Sequence, residues 1–522
     1  MLADRYRLAI LLCYFAWLWN PVGVDGDDDR PNILFAISDD QSWMHCGAYG
    51  DPATRTPAFD RVAKEGVLFT RAFCASPSCA PSRSAILTGR NIWELEEGGV
   101  LFGVLKSKFK PFTLNLQEAG YQLGATGKTW GPGATSGFKL SSPNAYNANS
   151  TQSIFGKAFS AKKHKLGIKG ISPTDYAANF DEFLKERDEK KPFFFWYGAT
   201  EPHQNYEVGR WKKAGKKLSD SIFPKSLPDN ETIRGEFLDY SLEIEHFDQH
   251  LERMLDSLKK NNLHENTIII VTSDHGNPMP RSKCNLYDSG TRVPLAVKWP
   301  EKIRGGRKVE DFVSLVDIGS TILQMAGLEV PKKMSGRSLW PMLNSGREGW
   351  IENRDFVVTA FERHIICRRN GMGYPMRSIR TKDYAYIRNY EPDRWPAGDP
   401  DFQSSHQGLY GDCDHGESKK NILGNALSPK IAPFYKLCFA RRPAEELYDM
   451  NADPHQLTNL AYDEKMAEVK DRLARKMKTY LIKTGDPRMD GKSPWDSYPF
   501  TDKRIFENPN WQTEGKALQI PK

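Results

Sequence analysis

The chain has 522 residues, of which 39% are hydrophobic, so it can bury a large core and is expected to form two or more domains. Its 73 basic and 66 acidic residues leave a net charge of +7. The two signs are interspersed along the chain, and there is neither a basic arm nor a zinc-finger spacing. Nucleic acid is therefore not expected as a partner.

Residues 1–26 have the pattern of a secretory signal peptide. Arg5 and Arg7 precede an apolar run over residues 8–19, and small and turn residues follow up to Gly26. The run is too short for a membrane span, which needs about 20 apolar residues, and no later stretch is longer. We therefore expect an exported protein without a membrane span, periplasmic or secreted in a bacterium and lysosomal or secreted in a eukaryote.

Export affects the interpretation of the eight cysteines. Cys13 would leave with the signal peptide. The number that remains is odd, so in an oxidising compartment at least one thiol is left without a disulfide partner. The seven that remain are Cys46, Cys74, Cys79, Cys284, Cys367, Cys413 and Cys438.

Three short apolar runs are predicted to be strands of a sheet that is buried on both faces. They cover residues 33–37, 193–197 and 268–271, and they lack the alternation of a half-exposed strand. Between the second and third runs, apolar residues recur every three or four positions over 240–258, which predicts a helix. Alternating strands and helices indicate an α/β domain with a large, mostly parallel sheet between helices, over residues 27–372.

After Met372 the pattern changes. Residues 376–390 alternate as a half-exposed antiparallel strand does, and residues 445–460 resemble a strand followed by a turn. A closing helix is marked by apolar residues at Met466, Val469, Leu473, Met477 and Leu481. We predict a smaller C-terminal α+β domain with an antiparallel sheet over residues 373–522, with a boundary placed to within about 20 residues.

Acidic residues follow two of the predicted strands. Asp39 and Asp40 come after the first, and Asp274 and His275 come after the third. A single acid there is most often a helix cap or a turn residue. In a parallel sheet, however, ligands bind beyond the carboxyl ends of the strands, and three carboxylates at one edge would repel each other without a cation. Oxygen ligands favour Ca²⁺ or Mg²⁺, whereas the imidazole of His275 leaves Zn²⁺ open.

The segment around Cys79 predicts an anion site. A cysteine in an exported protein is usually half of a disulfide or a small buried side chain. Here Pro81 favours a helix that begins near Ser82 and directs its N-terminal amides towards residue 79. Arg83 adds a guanidinium suited to tetrahedral oxyanions. Together these features indicate a site for sulfate or phosphate beside the predicted cation.

These residues resemble a known family. Residues 79–83, "CAPSR", match the Cys-x-Pro-Ser-Arg signature of type I sulfatases, and "LTGR" follows as it does there. Other matches occur along the chain in the same order as in this family. Those towards the C-terminus are most similar to the heparan N-sulfatase (sulfamidase) branch. The matches are the Asp39–Asp40 pair, "GK" at 127–128, "PH" at 202–203, "SDHG" at 273–276, "NPMP" at 277–280, "KCNLYDSGTRVP" at 283–294, "YPMRSIR" at 374–380 and "ELYDMNADPHQLTNL" at 446–460.

The resemblance implies an alkaline-phosphatase-like sandwich and a particular fate for Cys79. In such sulfatases a formylglycine-generating maturation enzyme oxidises this cysteine to Cα-formylglycine, and the hydrated aldehyde attacks sulfur. The implied cofactor is one Ca²⁺ ion. Its implied ligands are Asp39, Asp40, Asp274, His275 and the product of Cys79.

Four further residues receive catalytic roles from the same resemblance. Arg83 would hold the hydrated aldehyde, Lys128 and Lys283 would hold sulfate oxygens, and His203 would be the acid for the leaving group. Taken alone, each lysine could be a solvated charge and His203 a capping residue. Trp130 stands where many relatives have a second sulfate-contacting histidine. It is therefore given a role in packing or sugar stacking, and none in catalysis.

The substrate is predicted from the basic segment at residues 361–380. His364, Arg368 and Arg377 are expected to bind the substrate near the domain seam, where an arginine could hold a neighbouring sulfate or uronate, although they could equally be surface charges. We expect removal of one sulfate from the end of a sulfated saccharide. Glucosamine N-sulfate is the favoured substrate group, and an O-sulfate on another acidic polysaccharide is the second candidate.

Two other classes of function stay open at this point. A metal-dependent phosphodiesterase or phosphonate hydrolase of the same superfold would share the acids. A non-catalytic binder of sulfated glycans would result if Cys79 were never converted. A homo-oligomer is also compatible with the sequence.

Overall fold

A computed structural model describes residues 30–402 and 407–501, so the predicted signal peptide lies outside the described residues. The strands are β1 (Asn32–Ser38), β2 (Val67–Phe69), β3 (Ala72–Phe73), β4 (Val104–Lys106), β5 (Gln122–Ser136), β6 (Ala145–Asn147), β7 (Lys157–Ala158), β8 (Phe193–Gly198), β9 (Thr267–Ser273), β10 (Arg292–Val293), β11 (Leu295–Lys298), β12 (Arg307–Val309), β13 (Val313–Ser314), β14 (Phe356–Phe361), β15 (Met376–Thr381), β16 (Tyr384–Asn389) and β17 (Glu445–Asp449).

The helices of the described chain vary from single turns to one of 30 residues. They are α1 (Pro57–Glu65), α2 (Cys79–Thr88), α3 (Phe112–Glu118), α4 (Gln152–Phe155), α5 (Tyr176–Glu186), α6 (Arg210–Lys213), α7 (Glu231–Lys260), α8 (Asp288–Thr291), α9 (Asp317–Met325), α10 (Trp340–Asn344), α11 (Glu417–Gly424), α12 (Ala432–Cys438) and α13 (Ala467–Lys483). Within residues 30–402 and 407–501, none of them has the length and apolar character that crossing a membrane requires.

The large sheet has the strand order β12-β2-β11-β9-β1-β8-β5-β4, with β6 and β7 paired to β5. Its central strands, from β9 to β4, are parallel, whereas β11 runs antiparallel to β9 and β2 antiparallel to β11. The mostly parallel sheet predicted from the apolar runs is confirmed.

Strand β1 shows why its sequence is apolar without alternation. All seven of its residues are buried. Ile33, Phe35 and Ile37 belong to one hydrophobic cluster, and Leu34 and Ala36 belong to another that includes residues of α7. Because both faces of the sheet are covered, every side chain of this strand meets apolar neighbours.

The parallel register brings the ends of three strands together. Ile37 of β1 pairs with Gly198 of β8, and Ser38 pairs with Ser273 of β9. The polar residues that follow these strands therefore begin at a single edge of the sheet, as the sequence pattern predicts.

Strand β5 was not predicted, because its glycines remove the strand signal. One of them, Gly127, has φ = +72°, and a Cβ there would lie 2.0 Å from the Gly198 carbonyl oxygen. Only glycine fits this close approach to β8. The result is that the next residue, Lys128, is carried to the edge of the sheet where the acids lie.

A second, antiparallel sheet has the order β14-β15-β16-β17, as predicted for the C-terminal part. It begins at Phe356, ahead of the boundary expected after Met372, and the domain limits stay a prediction. Helix α2 lies between the two sheets. Its Ile86 belongs to the core of the large sheet, and its Ala85 belongs to a cluster with Ile379 of β15 and Leu473 of α13.

Candidate active site

Helix α2 begins at Cys79, three residues earlier than expected. Ser78 is the extended residue before the helix, and Pro81 lies inside its first turn. Cys79 is therefore part of the helix N-terminus, where the partial positive charge of the helix is greatest. All seven cysteines in the described residues are buried and free of disulfides.

Three other predicted metal ligands come together around this cysteine. Cys79 Sγ lies 3.5 Å from Asp39 Oδ1, 3.5 Å from His275 Nε2 and 4.0 Å from Asp40 Oδ1. The possible ligand atoms of these four buried residues all lie within 4.8 Å of one another. Asp40 has φ = 71°, which is rare outside glycine and typical of functional sites.

Asp274, the fifth predicted ligand, lies at the border of this group. Its Oδ1 accepts hydrogen bonds from the backbone amides of Asp40 (3.1 Å) and His275 (2.9 Å), and its Oδ2 accepts from Arg83 Nε (2.8 Å). It therefore fixes both strand ends and the arginine. Arg83 Nη2 is buried and makes no hydrogen bond among the described residues, and it lies 3.6 Å from Asp39 Oδ1 in an ion pair.

The donor set fits a divalent cation. Burial acts to raise the pKa of Asp40, but Lys283 and His275 outweigh it and hold this pKa well below its ordinary value. Burial acts to lower the pKa of His275, but Asp274 and Asp40 raise it well above the usual range. The carboxylates thus hold a proton on a fully buried imidazole. A cation bound there would balance the same negative charge.

A cavity of about 950 Å³ opens at Cys79, and Lys128, His203 and Lys283 are among its lining residues. Lys128 Nζ donates to both oxygens of Asp39, at 2.6 and 2.5 Å. The structure therefore brings four of the five predicted catalytic residues to one cavity, whereas Arg83 lies buried with the candidate metal ligands behind Cys79.

Asp414 belongs to this site and was not predicted. It lies in the loop before α11, is buried, and accepts a hydrogen bond from Lys283 Nζ at 2.9 Å. Lys283 also donates to Asp40 Oδ2 (2.8 Å) and lies 3.2 Å from His203 Nε2. No predicted strand precedes Asp414, and the only sequence signal is the acidic stretch "DCDHGE" at 412–417.

Of the three predicted substrate-binding residues, His364 alone lines the cavity. Its Nδ1 lies 2.8 Å from Ser78 Oγ, at the start of α2. Burial, followed by the charge of Lys283, lowers the pKa of His364 well below 6.5, so its imidazole is neutral.

The structure does not bring Arg368 and Arg377 to the cavity. Arg368 is buried in an ion pair with Asp412 at 2.8 Å. Arg377 is fully buried between Asp486 and Glu362, at 2.7 Å from each. Their guanidinium groups are engaged by interior carboxylates, so the expected contact with the substrate is replaced by a structural role.

Trp130 and Trp93 are also interior residues. Trp130 is fully buried in the core, and its Nε1 donates to Ser84 Oγ of α2 at 2.7 Å. Trp93 Nε1 donates to Thr484 Oγ1 at 3.1 Å, and Trp93 packs near the guanidinium of Arg377. Neither is among the residues that line the cavity at Cys79.

Comparison with protein families agrees with this arrangement. The family model described as Sulfatase matches residues 31–328, which is more than half of the chain. The chain belongs to the sulfatase family. A second model, described as N-sulphoglucosamine sulphohydrolase, C-terminal, matches residues 281–422, which include Lys283, His364 and Asp414. The protein is thus a sulfuric ester hydrolase by family.

Two relatives match over most of their length. An ulvan-active sulfatase of Formosa agariphila is 28% identical over 459 residues, covering 88% of this chain and 81% of the relative. The human N-sulphoglucosamine sulphohydrolase is 27% identical over 497 residues, covering 88% of this chain and 91% of the relative.

The fold itself is shared with hydrolases of another class. The crystal structure of a phosphonate monoester hydrolase of Agrobacterium radiobacter superimposes with a TM-score of 0.62 at 21% identity, covering 87% of this sulfatase and 96% of that chain. At this identity the similarity shows the fold and leaves the substrate to the site residues.

Proposed function

We propose that this sulfatase is exported and hydrolyses a sulfate ester or sulfamate on a sulfated saccharide, with Cys79 oxidised to Cα-formylglycine. The position of the Cys79 side chain carries the proposal. It has Asp39, Asp40 and His275 on one side and opens on the other to the cavity that Lys128 and Lys283 line. The signal-peptide pattern at the N-terminus supports export.

One Ca²⁺ ion would be held by Asp39, Asp40, His275 and the oxidised Cys79, with Asp274 at the border. When bound, the ion would polarise the attacking oxygen and the sulfate oxygens, and the hydrated aldehyde would supply that attacking oxygen. The donor set supports this assignment, because most of its atoms are hard carboxylate oxygens.

The lysines bind the sulfate in this proposal. Lys128 and Lys283 are both buried, and each is fixed by a carboxylate, so their ammonium groups need little rearrangement when negative charge develops on sulfate oxygens. The Nη2 donor of Arg83 would hold the oxidised side chain of Cys79, which the resemblance to sulfatases implies.

His203 is the proposed acid for the leaving oxygen or nitrogen. Its Nδ1 lies 2.6 Å from the Gln204 carbonyl oxygen, which assigns the donor role to Nδ1. Nε2 is then the nitrogen near Lys283, and it must carry a proton to act as the acid. His364 is neutral, lies beside Ser78 at the start of α2 and would contact the saccharide.

N-sulfated glucosamine is the substrate that we favour. The match of residues 281–422 to the C-terminal model of N-sulphoglucosamine sulphohydrolase supports it, since this part of the chain supplies Lys283, His364 and Asp414 to the cavity. An O-sulfate on another acidic polysaccharide is the second candidate, supported by the similarity to an ulvan-active sulfatase.

The test combines a mass measurement with a substrate panel. The tryptic peptide around Cys79 should have the mass of the aldehyde form, and the enzyme should release free sulfate from defined N- and O-sulfated mono- and disaccharides. Cys79→Ser, made in a host whose maturation enzyme accepts only cysteine, should fold normally and release none.

Three results would separate the alternatives. An unconverted thiol with retained saccharide binding would indicate a non-catalytic binder. Faster turnover of aryl phosphodiesters than of aryl sulfates would indicate a phosphodiesterase. Sulfate release from O-sulfated sugars alone would replace the favoured substrate and keep the sulfatase chemistry.

A further inference from the structure

Three histidines converge at a second place in the fold that the sulfatase chemistry does not use. His246 and His250 lie one turn apart on α7, and His164 comes from the segment between β7 and α5. Their ring centroids are 4.7, 5.4 and 6.2 Å apart. One possible ligand nitrogen of each lies within 4.8 Å of those of the other two.

Packing alone does not account for this cluster. His246 is 6% exposed and His250 is 3% exposed. The Nε2 atoms of His246 and His164 are both buried without a hydrogen-bond partner among the described residues. Leaving a buried polar atom unpaired lowers stability, and here two occur side by side. A ligand that accepts electron pairs from both nitrogens would remove this cost.

The histidines have the protonation state of metal ligands. Burial, followed by the neighbouring His164, lowers the pKa of His246 to about 4. Burial, followed by His246, lowers the pKa of His250 to about 3. Both imidazoles are therefore neutral at ordinary pH, as metal coordination requires.

A carboxylate stands behind the cluster. His250 Nδ1 lies 3.6 Å from Asp175 Oδ1, and it also accepts the Ala177 amide at 3.3 Å. Arg253 Nη1 lies 3.5 Å from the same nitrogen and pairs with Asp175 at 2.9 Å. Metal binding through His250 Nε2 would place the ring proton on Nδ1, so Nδ1 would give up the hydrogen bond from the Ala177 amide and donate to Asp175 instead. A carboxylate in this position orients metal-bound histidines in many proteins.

We propose that His164, His246 and His250 form a zinc site, separate from the carboxylate centre at Cys79. Two histidines spaced i, i+4 on a helix present their rings on one face, and a third from a loop completes the three-imidazole set common for zinc. The absence of carboxylate oxygens among these three ligands disfavours Ca²⁺ and Mg²⁺. The fourth position would be taken by water.

The proposed zinc would fasten an irregular segment to α7. Residues 160–175 contain no helix, and an isolated bridge joins Lys163 to Thr174. Four lysines in this segment lie on its exposed part: Lys162, Lys163, Lys165 and Lys169. The segment also reaches towards the active site, because the Ser172 amide donates to Glu201 Oε1 at 2.7 Å, two residues before His203.

The experiment measures Zn²⁺ binding to metal-free enzyme in the presence of excess Ca²⁺, which keeps the carboxylate centre filled. Calorimetric titration should show one more equivalent of Zn²⁺ on the wild type than on His164→Gln or His246→Gln. Co²⁺ used in place of Zn²⁺ should give the visible absorption of a four-coordinate nitrogen site only in the wild type. His264→Gln, at a distant and partly exposed histidine, is the matched control and should behave as the wild type.

Limited proteolysis gives an independent readout. Zn²⁺ should slow tryptic cleavage at the four lysines several-fold in the wild type and have no effect in His164→Gln. His164 is only half-buried, so this variant is expected to fold, and its unfolding temperature without Zn²⁺ checks that it does. Superimposable titration curves and equal cleavage rates for the wild type and His164→Gln would overturn the site.

Discussion

Lys283 is held from two sides by carboxylates, Asp40 at 2.8 Å and Asp414 at 2.9 Å. Burial acts to lower the pKa of this lysine, but the two carboxylates raise it well above its ordinary value. The ammonium group therefore stays charged and fixed at one position of the cavity. In the proposed mechanism, a fixed charge of this kind would stabilise the transition state without reorganisation when charge moves onto sulfate.

Asp414→Asn tests this positioning role. The amide keeps the size of the side chain but removes one of the two charges that hold Lys283, so kcat/KM for the sulfated substrate should fall about 10- to 100-fold. Steady-state kinetics on the saccharide found by the panel measures it. Asp401→Asn, at an exposed aspartate paired with Arg369, is the control. An unchanged kcat/KM would show that Asp40 alone suffices.

The sequence predicted most of the residues around Cys79, because strand ends and a short motif mark them. Asp39, Asp274 and His203 follow apolar strands, so their convergence follows from the parallel sheet. Asp414 could not be found in this way, because it reaches the site from a loop with no strand before it. Arg377 was predicted at the site from its charge alone, and charge does not distinguish an interior ion pair from a binding group.

At the scale of elements, α7 contains a buried acid with an incomplete set of partners. Glu243 is 1% exposed, and Arg210 Nη1 lies 3.3 Å from its Oε1. Its Oε2 has no hydrogen-bond partner among the described residues. Burial, followed by the charge of Glu201, raises the pKa of Glu243 to about 8. The folded protein therefore keeps a proton that the unfolded chain releases at lower pH.

This helix should make stability depend on pH. The raised pKa of Glu243 contributes stability that is fully present below its ordinary value of 4.5 and is lost as pH rises through about 8. As pH rises from 4.5 to about 8, the unfolding temperature of Glu243→Gln should fall less than that of the wild type. Thermal unfolding at a series of pH values measures the difference. Glu252→Gln, half-exposed on the same helix, should keep the wild-type slope.

Strand β15 is tied to the C-terminal segment by Arg377, which lies between Asp486 and Glu362. Arg377→Gln leaves the buried Asp486 without its ion-pair partner, whereas Glu362 keeps Arg488, and the free energy of unfolding should fall by about 3–5 kcal/mol. KM for the saccharide should not change. Urea unfolding and kinetics on the folded fraction test both, with the partly exposed Arg388→Gln as control. A raised KM at unchanged stability would restore the substrate-binding role.

The elements that were predicted correctly from the sequence are those whose two faces have the same environment. Strands β1, β8 and β9 are buried on both faces, and their uninterrupted apolar runs indicate this burial directly. Strand β5 has glycines where the backbone passes close to β8, so its sequence carries no strand pattern. Helix α2 begins before Pro81 because Ser78 is already extended, a feature that the proline alone did not indicate.

At the scale of the molecule, the candidate metal centre connects parts of the chain that are remote in sequence. Asp39 follows β1, Cys79 starts α2, and His275 follows β9. A cation shared among them would link the central strands to the helix that lies between the two sheets. Its binding should therefore contribute to global stability as well as to activity.

Removal of this metal gives the corresponding prediction. A chelator should lower both the unfolding temperature and the rate of sulfate release of the wild type, and added Ca²⁺ should restore them. Asp39→Asn should bind the ion more weakly, so the chelator should shift its unfolding temperature less. Differential scanning calorimetry makes the comparison. An unfolding temperature and activity that chelation leaves unchanged would contradict the metal centre.

The order of strands has a consequence for synthesis. Strand β1 is made early, yet its two neighbours in the sheet are β8 and β9, which a ribosome produces much later. Strand β1 has no partner on one side until residue 198 has emerged and none on the other side until residue 273 has emerged, so the sheet beside α2 is incomplete until then. Cys79 is 3% exposed in the finished fold, where it is reached through the cavity, and its thiol is open to a large molecule more readily during this interval. If a maturation enzyme converts Cys79 as proposed, this topology sets a time window in which it can reach the thiol, and slowing elongation before β9 would lengthen that window.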